Sequence, residues 1–318
     1  MKKVLITGVS GFAGQHLAEH LIESDSLTLY GTYHSDNSLD RLGELKNKIT
    51  AYQVDLTNKE QVGELIDRTQ PDEIYNLASQ TSPSQSIKDP AETLTTNTLS
   101  ELYLLEAIKN TNKDTKVLAI SSAEVYGAID SKDLPVDEDT PFRPTTPYAV
   151  SKITQDYLAL EYFIAHQLQV IRARPFNHFG PRQQPKFVVP MFAKQIAEIE
   201  KGGQDPLMKV GNLKARKDFT DVRDVVRAYR LLMEKGIPGE VYNIGSGKSV
   251  EIQQILDTLI SMSETKILYE RDDQLYRLLD TPDIYCDYSK LKILTGWEPQ
   301  ISLEKTLKDT LDYFRKFV

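Results

Sequence analysis

Tyr148 and Lys152 lie four positions apart in a segment of helical periodicity, so we expect both side chains on one face of one helix. A phenol of ordinary pKa, near ~10, is a weak acid–base catalyst at neutral pH. An ammonium group one turn away stabilises the phenolate and lowers that pKa, which predicts a group able to move a hydroxyl proton during hydride transfer. Tyrosine and lysine often meet at this spacing by chance, so the pair is informative only together with the motifs that precede it.

Hydroxyl side chains end an apolar segment shortly before that pair. Ser121 and Ser122 close the segment 117–121, and Ala123-Glu124-Val125-Tyr126-Gly127 follows directly. In doubly wound folds, ligands bind at the carboxyl ends of parallel strands. We therefore expect the hydroxyl groups near Tyr148 at such an end. Glu124 is either a catalytic base or a structural hydrogen-bond partner, and both interpretations stay open.

Three glycines follow the first apolar segment, 3–7, in a G-x-x-G-x-x-G pattern: Gly8, Gly11 and Gly14. Glycines at these positions allow a tight turn and let the backbone approach a pyrophosphate, whose charge a helix N-terminus attracts. The alternative is an ordinary glycine-rich turn between a strand and a helix. Because at least three further strand–helix units follow, the sequence predicts a dinucleotide-binding turn that includes Phe12 and Ala13.

The second predicted strand, 27–32, has no carboxylate at its tip to bind a ribose 2′-hydroxyl. This favours NADP over NAD, although Asp36 and Arg41 come later in the chain and no clear phosphate-binding arginine is present. Asp55-Leu56, after the third strand, predicts an adenine contact. Asp55 is also suited to cap the helix that follows, and the two roles are compatible.

The elements that must position these residues alternate between strands and helices. Short β-branched segments predict strands at 3–7, 27–32, 50–54, 73–77, 117–121, 170–175 and 240–244. Amphipathic segments predict helices at 12–23, 59–68, 98–110, 148–165, 192–201, 221–235, 250–262 and 303–317. This pattern indicates an α/β fold, a doubly wound parallel (Rossmann) sheet with a smaller C-terminal lobe. We expect residues 1–175 to form the dinucleotide-binding domain, with later returns near 221–246, and residues 176–318 to form the substrate-binding lobe.

Composition restricts the partners of the chain. The net charge of -8 argues against a general nucleic-acid or membrane-surface binder. Cys286 is the one cysteine, which suggests a reducing compartment and predicts a cytoplasmic location. The helices near 98–110 and 148–165 are apolar on more than one face, which predicts a homodimer through them or deep packing against the sheet.

Taken together and in order, these motifs resemble the extended short-chain dehydrogenase/reductase family, in the branch that acts on nucleotide sugars. The matching segments are 7–14, 55–56, 76–78, 121–127, 147–152 and 174–178. The resemblance implies an NAD(P)-dependent enzyme in which Ser122 positions the sugar oxygen, Tyr148 is the acid/base and Lys152 binds the nicotinamide ribose. It implies cofactor contacts from Gly8, Gly11, Phe12, Ala13, Gly14, His34, Asp55, Leu56, Ala78, Asn97, Tyr148, Lys152 and Pro175.

Within that branch, the segments 176–181, 187–189, 211–224, 241–247 and 295–299 resemble the GDP-6-deoxy-4-keto-mannose reductases and GDP-mannose 4,6-dehydratases. Arg277 and Asp280 match an Arg-x-x-acid pattern that holds diphosphate and ribose, and Arg182 lies in a loop where it could join them. No metal ion is implied. The implied substrate contacts are Gln80, Ser122, Asn177, Val188, Asn212, Arg216, Lys217, Arg277 and Asp280.

The chain departs from the pattern of this branch at three places. Lys217 stands where an arginine is usual, with Arg216 one position earlier, and lysine lacks the bidentate grip of arginine. Ser100-Glu101 replaces the usual Gly-Thr. Ala123-Glu124 replaces two glutamates.

The last departure bears on the reaction. A 4,6-dehydratase needs a base and a second polar group beside the hydroxyl residue, and Ala123 offers no second proton donor. The sequence therefore predicts reduction of a GDP-linked 4-keto-6-deoxy sugar by Ser122, Tyr148 and Lys152. A nucleotide-sugar 4-epimerase and a GDP-mannose 4,6-dehydratase remain alternatives, in that order. A non-catalytic sensor that binds the dinucleotide is a further one.

Overall fold

The computed structural model describes residues 1–23, 27–112, 114–275 and 282–318. The strands are β1 (Lys2–Thr7), β2 (Leu27–Tyr33), β3 (Thr50–Gln53), β4 (Glu73–Asn76), β5 (Lys116–Ile120), β6 (Gln169–Pro175), β7 (Asn177–Phe179), β8 (Leu207–Val210), β9 (Arg216–Asp221), β10 (Val241–Ile244), β11 (Ser249–Glu251), β12 (Leu268–Arg271) and β13 (Asp283–Ile284). The α-helices are α1 (Phe12–Ile22), α2 (Asp36–Leu39), α3 (Lys59–Thr69), α4 (Pro83–Lys88), α5 (Pro90–Thr111), α6 (Pro147–His166), α7 (Val188–Glu200), α8 (Val222–Lys235), α9 (Ile252–Ser261), α10 (Ser289–Thr295) and α11 (Leu303–Phe317). Among the helices of the described residues we find none with the length and hydropathy of a membrane span.

Seven parallel strands form the large sheet, in the order β10-β6-β5-β4-β1-β2-β3. They are the seven strands predicted from the sequence, with ends that agree within one residue. The strand order reverses between β1 and β4, where Thr7 pairs with Asn76 at the carboxyl ends of both strands. A doubly wound sheet opens a ligand crevice at such a reversal. The predicted α/β doubly wound fold is confirmed.

Both faces of the large sheet are covered by helices. In β1, Val4 and Ile6 pack in the core formed with α1 and α8, while Leu5 packs in the core formed with α3, α5 and α6. Successive strand residues point to opposite faces, so a strand buried on both sides is apolar throughout rather than alternating. This explains why the short apolar segments of the first half could be recognised as strands.

A smaller lobe is built mainly from the second half of the chain. Helices α7, α9 and α11 pack around a separate apolar core with β8 and β9. A small sheet joins β11, β9 and β13, with β7 also paired to β9, and β8 pairs with β12. These segments were not predicted as strands, because strands of two to six residues carry too few side chains for a clear pattern.

The chain returns to the large sheet more often than expected. Strand β10 and helix α8 lie there. Leu291 of α10 and Trp297 also pack in the core beside α8, and the Trp297 indole donates to the Asp224 carbonyl at 3.0 Å. The C-terminal lobe is therefore interleaved with the sheet domain along much of its length.

Helix α6 is the element that presents Tyr148 and Lys152. Its N-cap is Thr146, whose hydroxyl accepts a hydrogen bond from the Ala149 N–H at 3.1 Å, and Pro147 occupies the first helical position. Both residue types favour a helix start at these places. Tyr148 consequently lies in the first turn, next to the carboxyl edge of the sheet, with Lys152 one turn further along.

Candidate active site

A cavity of about 1970 Å³ lies between the carboxyl edge of the large sheet and the smaller lobe. A single drug-sized ligand ordinarily occupies roughly 300–1,000 Å³, so this cavity has room for two nucleotide-sized molecules. Most of the residues predicted from the sequence line it. They are Gly8, Gly11, Phe12, Ala13, Gly14, His34, Asp55, Leu56, Ala78, Gln80, Ser122, Glu124, Tyr148, Lys152, Pro175, Asn177, Val188, Asn212 and Lys217.

The glycine turn is as tight as its pattern requires. Gly8 has φ +65°, and the Gly11 N–H donates to the Gly8 carbonyl oxygen at 2.9 Å. A Cβ on Gly14 would lie 2.5 Å from the same carbonyl oxygen. Helix α1 begins at Phe12, and the N–H groups of its first turn have no intrahelical acceptor. Open N–H groups beside a cavity fit the diphosphate of a nicotinamide dinucleotide.

Of the two roles left open for Asp55, the helix cap belongs to Asn58 instead, whose side chain accepts from the Gln61 N–H at 3.0 Å at the start of α3. The Asp55 carboxylate accepts hydrogen bonds from the Thr57 N–H at 2.9 Å and the Thr57 hydroxyl at 2.7 Å. These hydrogen bonds hold the pKa of Asp55 below its ordinary value. Asp55 caps a turn and also lines the cavity, beside Leu56 and His34.

Two cations lie at this end of the cavity. Arg41 and Lys186 both line it, and the pKa of Lys186 is lowered by burial and by the charge of Arg41. In the described part of the chain, neither forms an ion pair with a carboxylate. Sequence analysis named Arg41 without a role and missed Lys186, because residues so far apart in the chain give no sign that the fold brings them together.

The Tyr148 phenol and the Ser122 hydroxyl meet on the cavity wall. Tyr148 is 7 % exposed, and burial raises the pKa of its phenol above the ordinary value. A hydrogen bond with Ser122 acts in the opposite direction, and the charge of Glu124 raises the pKa further. At neutral pH this phenol therefore carries its proton.

The Lys152 ammonium donates to the carbonyl of Ile120, the last residue of β5, at 2.8 Å. Burial lowers the pKa of Lys152, while the charge of Glu101 raises it. We expected Lys152 to lower the pKa of Tyr148, and the direction of that expectation is wrong. Loss of hydration dominates at the buried phenol, and the ammonium is directed to the end of β5.

Ser122 also has a structural role. Its hydroxyl accepts a hydrogen bond from the Glu124 N–H at 3.2 Å and so caps the short 3₁₀ turn Ala123–Val125. That turn places the Glu124 carboxylate close enough to Tyr148 to influence its pKa. Ala123 is buried and presents only a methyl group.

Asn97 was expected to contact the cofactor, but it does not line the cavity. It is fully buried, and its carbonyl oxygen accepts from the Gln80 N–H at 2.7 Å. Its amide donates to the Gln80 carbonyl at 3.1 Å and to the Ser151 hydroxyl at 2.9 Å. Asn97 thus ties the cavity segment at Gln80 to helix α6, one layer behind the residues that face the cavity.

The two basic residues before Asp218 point in different directions. Lys217 lines the cavity, whereas the Arg216 guanidinium donates to the Ser249 carbonyl at 3.1 Å and lies 3.5 Å from the Asp283 carboxylate. Successive residues of a strand face opposite sides, so only one of the two can face the substrate. Arg216 was expected to contact the substrate, but it does not line the cavity.

The remaining cations expected on the substrate side have different outcomes. Arg182 lines the cavity, but its guanidinium donates to Glu19 and contacts His16. Arg277 and Asp280 lie outside the described residues. Asn177, Val188 and Asn212 line the cavity from β7, from the start of α7 and from the segment before β9.

Thr7 and Asn76 form a buried pair at the strand reversal, and the sequence predicted no role for either residue beyond its place in a motif. The Thr7 hydroxyl donates to the Asn76 carbonyl oxygen at 2.6 Å and accepts from the Ala78 N–H at 3.0 Å. These hydrogen bonds hold the two edges of the crevice at a fixed separation. The only signal in the sequence was a polar residue at the end of each apolar strand.

Comparisons with known proteins agree with this geometry. The family model described as GDP-mannose 4,6 dehydratase matches residues 5–310. A GDP-6-deoxy-D-mannose reductase from Pseudomonas aeruginosa is 33 % identical over 98 % of this chain and 96 % of its own. The solved structure of RMD from Pseudomonas aeruginosa complexed with NADPH is 31 % identical over 100 % of both chains, with a TM-score of 0.87. That of UDP-glucose 4-epimerase from Thermotoga maritima with UDP-glucose is 28 % identical over 99 % of both, with a TM-score of 0.88.

Proposed function

Because the chain belongs to the GDP-mannose 4,6 dehydratase family, we propose that it is a nicotinamide-dependent enzyme that reduces a nucleotide-linked 4-keto-6-deoxy sugar, with GDP as the nucleotide. The observation that carries this proposal is the buried Tyr148 phenol, which lines the same cavity as Ser122, Lys152 and the glycine turn. The reductase named among the relatives supports the same reaction class.

In the proposed reaction, C4 of the sugar would receive the hydride that a reduced nicotinamide dinucleotide supplies when bound, and Gly8, Gly11 and Gly14 would hold that cofactor. Tyr148 donates its proton to the C4 oxygen, so that the carbonyl becomes a hydroxyl group. Ser122 holds that oxygen beside the phenol, and Lys152 binds the nicotinamide ribose. The phenolate that remains takes a proton from water. Tyr148 carries its proton at neutral pH, as a donor to the C4 oxygen must.

Two alternatives use the same catalytic trio. A 4,6-dehydratase or a 4-epimerase begins by oxidising a hydroxyl group, for which Tyr148 must act as a base. The methyl group of Ala123 adds no second proton donor for a dehydration, although Glu124 is near enough to Tyr148 to serve as a base. The 4-epimerase remains the second candidate, since the fold and the catalytic trio would serve it equally.

We propose NADPH as the preferred cofactor. The support is the cation pair Arg41 and Lys186, which lines the same cavity as His34, Asp55 and Leu56. Two positive charges that lie close together repel each other, and an anion between them offsets that repulsion. The 2′-phosphate of NADPH is such an anion, and the related NADPH complex is consistent with this choice.

We propose Lys217, with Asn177, Val188 and Asn212, as the contacts of the sugar nucleotide in the smaller lobe. A nucleoside diphosphate needs cations, and Lys217 supplies one on the cavity wall. Gln80 and Ser122 complete the set from the large lobe. Arg277 and Asp280 keep the roles that the resemblance implies.

A homodimer through α5 and α6 is part of the proposal. Val150, Tyr157 and Ile164 recur every seven residues on α6 and are 42 %, 54 % and 64 % exposed. An exposed apolar stripe on a long helix is typical of a protein interface. A sedimentation measurement of the mass in solution tests this part.

Cys286 is buried and unpaired, in keeping with the proposed cytoplasmic location.

The decisive experiment mixes the protein with NADPH and GDP-4-keto-6-deoxymannose and follows the absorbance of the reduced cofactor. Loss of absorbance with formation of a GDP-6-deoxyhexose supports a reductase. Conversion of GDP-mannose without net cofactor consumption would identify a dehydratase, and interconversion of two C4 epimers without added cofactor an epimerase. Binding of NADPH with no turnover of any sugar nucleotide would leave the sensor.

A further inference from the structure

Glu101 is a carboxylic acid in the interior of the protein, on helix α5, and its side chain is 0 % exposed. One carboxylate oxygen accepts hydrogen bonds from the Asn76 amide at 2.6 Å and from the Gln155 amide at 3.3 Å. The other oxygen is buried, and no group of the described residues forms a hydrogen bond with it. Burial of a charged or polar atom without compensation costs several kcal/mol, roughly, so such a group calls for a physical explanation.

The hydrogen bonds of Glu101 connect both sides of the crevice. Asn76 at the end of β4 accepts from Thr7 at the end of β1, beside the glycine turn. Gln155 lies three residues after Lys152 on α6. Glu101 therefore sits where the strand reversal, helix α5 and helix α6 meet, directly behind the wall that carries Lys152.

Glu101 and Lys152 influence each other through their charges. Burial raises the pKa of Glu101, whereas the positive charge of Lys152 lowers it. Burial lowers the pKa of Lys152, whereas the negative charge of Glu101 raises it. Of the charged groups around Lys152, Glu101 is the one that acts on its pKa. The titratable groups near the pair are Asp156, paired with Arg172 and Arg174 of β6, Tyr148 on α6, Glu124 after β5, and Tyr229 on α8.

We propose that Glu101 is a positioning residue that acts through Lys152: its carboxylate, held by Asn76 and Gln155, balances the buried ammonium and keeps it charged and hydrogen-bonded to Ile120. The part of this role that concerns turnover rests on the proposed function, whereas the charge state of Lys152 does not. Sequence analysis noted Glu101 only as a departure from the usual pattern. Its partner could not be recognised, because the two residues lie on different helices.

The expected consequence follows from the sign of the interaction. Without the negative charge, nothing opposes the effect of burial on Lys152, so the ammonium loses its proton at lower pH. The protonated form of Lys152 is the form proposed to bind the cofactor ribose. As the pH rises, cofactor binding and kcat/KM should therefore begin to fall at a lower pH in a variant without the Glu101 charge than in the wild type. Loss of the Glu101 charge removes the charge effect that raises the Lys152 pKa, so we expect a displacement of about one pH unit.

The test compares Glu101→Gln with Glu106→Gln. Glutamine retains the shape of glutamate and one oxygen that can accept from Asn76 and Gln155, but it removes the charge. Glu106 lies on the same helix and interacts with Lys109 and Tyr162 instead, which makes it a matched control. In protein labelled with ¹³C-lysine, the Lys152 signal is assigned through Lys152→Arg and titrated by NMR, and NADPH affinity is measured across the same pH range.

We expect the Lys152 midpoint and the alkaline limit of NADPH binding to fall together by about one pH unit in Glu101→Gln and to stay in place in Glu106→Gln. An unchanged Lys152 midpoint in Glu101→Gln would overturn the proposal, even with reduced thermal stability, because a structural role alone lowers stability without moving a titration. Glu101→Thr replaces Glu101→Gln should the glutamine variant not fold. A wild-type Lys152 midpoint below neutrality would also overturn it. The NMR titration decides the matter even if no sugar nucleotide proves to be a substrate.

Discussion

The two lobes present their residues to the cavity by different means. The large lobe does so from strand ends and helix starts, held from behind by buried hydrogen bonds such as Thr7 to Asn76 and Asn97 to Ser151. The smaller lobe uses strands of two to six residues and loops. There, buried Asp218 accepts from the Ser246 N–H at 2.7 Å and the Gly247 N–H at 3.0 Å, and so holds the small sheet to the segment after β10. The proposed chemistry thus rests on the lobe that presents strand ends and helix starts, and most of the proposed substrate contacts come from the lobe of short strands and loops.

Tyr148→Phe is the strongest test of that division. Without the hydroxyl group no proton reaches the sugar oxygen, and we expect kcat to fall by about 10³-fold. NADPH affinity should change little, because the ring and the helix remain. Tyr157→Phe is the control, since Tyr157 is an exposed tyrosine on the same helix. Near-normal turnover by Tyr148→Phe in a stopped-flow assay would remove Tyr148 from the chemistry.

Gly14→Ala tests the close packing of the glycine turn in the large lobe. The added methyl group would lie 2.5 Å from the Gly8 carbonyl oxygen and 2.9 Å from the Val9 Cα, so the turn must distort. Overpacking of this kind costs about 1–3 kcal/mol, and we expect up to about 100-fold weaker NADPH binding by fluorescence titration. Gly63→Ala on α3, where a Cβ meets no atom within 4 Å, should bind normally. Equal affinities in the two variants would contradict the role of the turn.

Lys217→Ala and Arg216→Ala separate the two faces of one strand in the smaller lobe. Loss of a charge-assisted contact to a diphosphate should raise the substrate KM about 20-fold for Lys217→Ala, with kcat largely preserved. Arg216 is bonded to Ser249 and Asp283, so its replacement should lower stability slightly and leave KM unchanged. Steady-state kinetics check both variants, and the reverse ranking would show that Arg216 faces the substrate.

Arg41→Ala should have the smallest effect of the four. The residue is exposed, so solvent screens its charge, and we expect about tenfold weaker NADPH binding with little change for NADH. Measuring both cofactors with the wild type and the variant isolates the contribution of the 2′-phosphate. A parallel loss for both cofactors would mean that Arg41 supports the fold of this segment rather than selecting NADPH.

How far the sequence predicted the molecule differs between the lobes for a physical reason. The seven sheet strands were found because a strand buried on both faces is apolar along its whole length. Strands such as β7 and β13 were missed because two or three residues, half of them facing solvent or the cavity, carry no such pattern. Helix α5 was predicted to begin at 98 but begins at Pro90, where Asp89 caps it; its first turns carry threonines rather than an apolar stripe.

The candidate site shows the same limit. Residue types and motif order predicted which side chains line the cavity, including Ser122, Tyr148 and Lys152, and the family resemblance is confirmed by the match over residues 5–310. The motifs did not predict that Asn97 lies behind the cavity wall or that Arg216 turns away. Those outcomes depend on which neighbour each side chain meets, and the neighbours come from distant parts of the chain.

The sequence by itself determined the parallel sheet, the glycine turn and the helix that carries Tyr148, because these depend on local periodicity, on backbone freedom and on capping residues. Only the tertiary structure decided the protonation of the site. The pKa of Tyr148 is raised, that of Lys152 is lowered, and Glu101 opposes the second effect. Loss of hydration depends on everything packed around a group, and a charge acts through distance in space rather than along the chain.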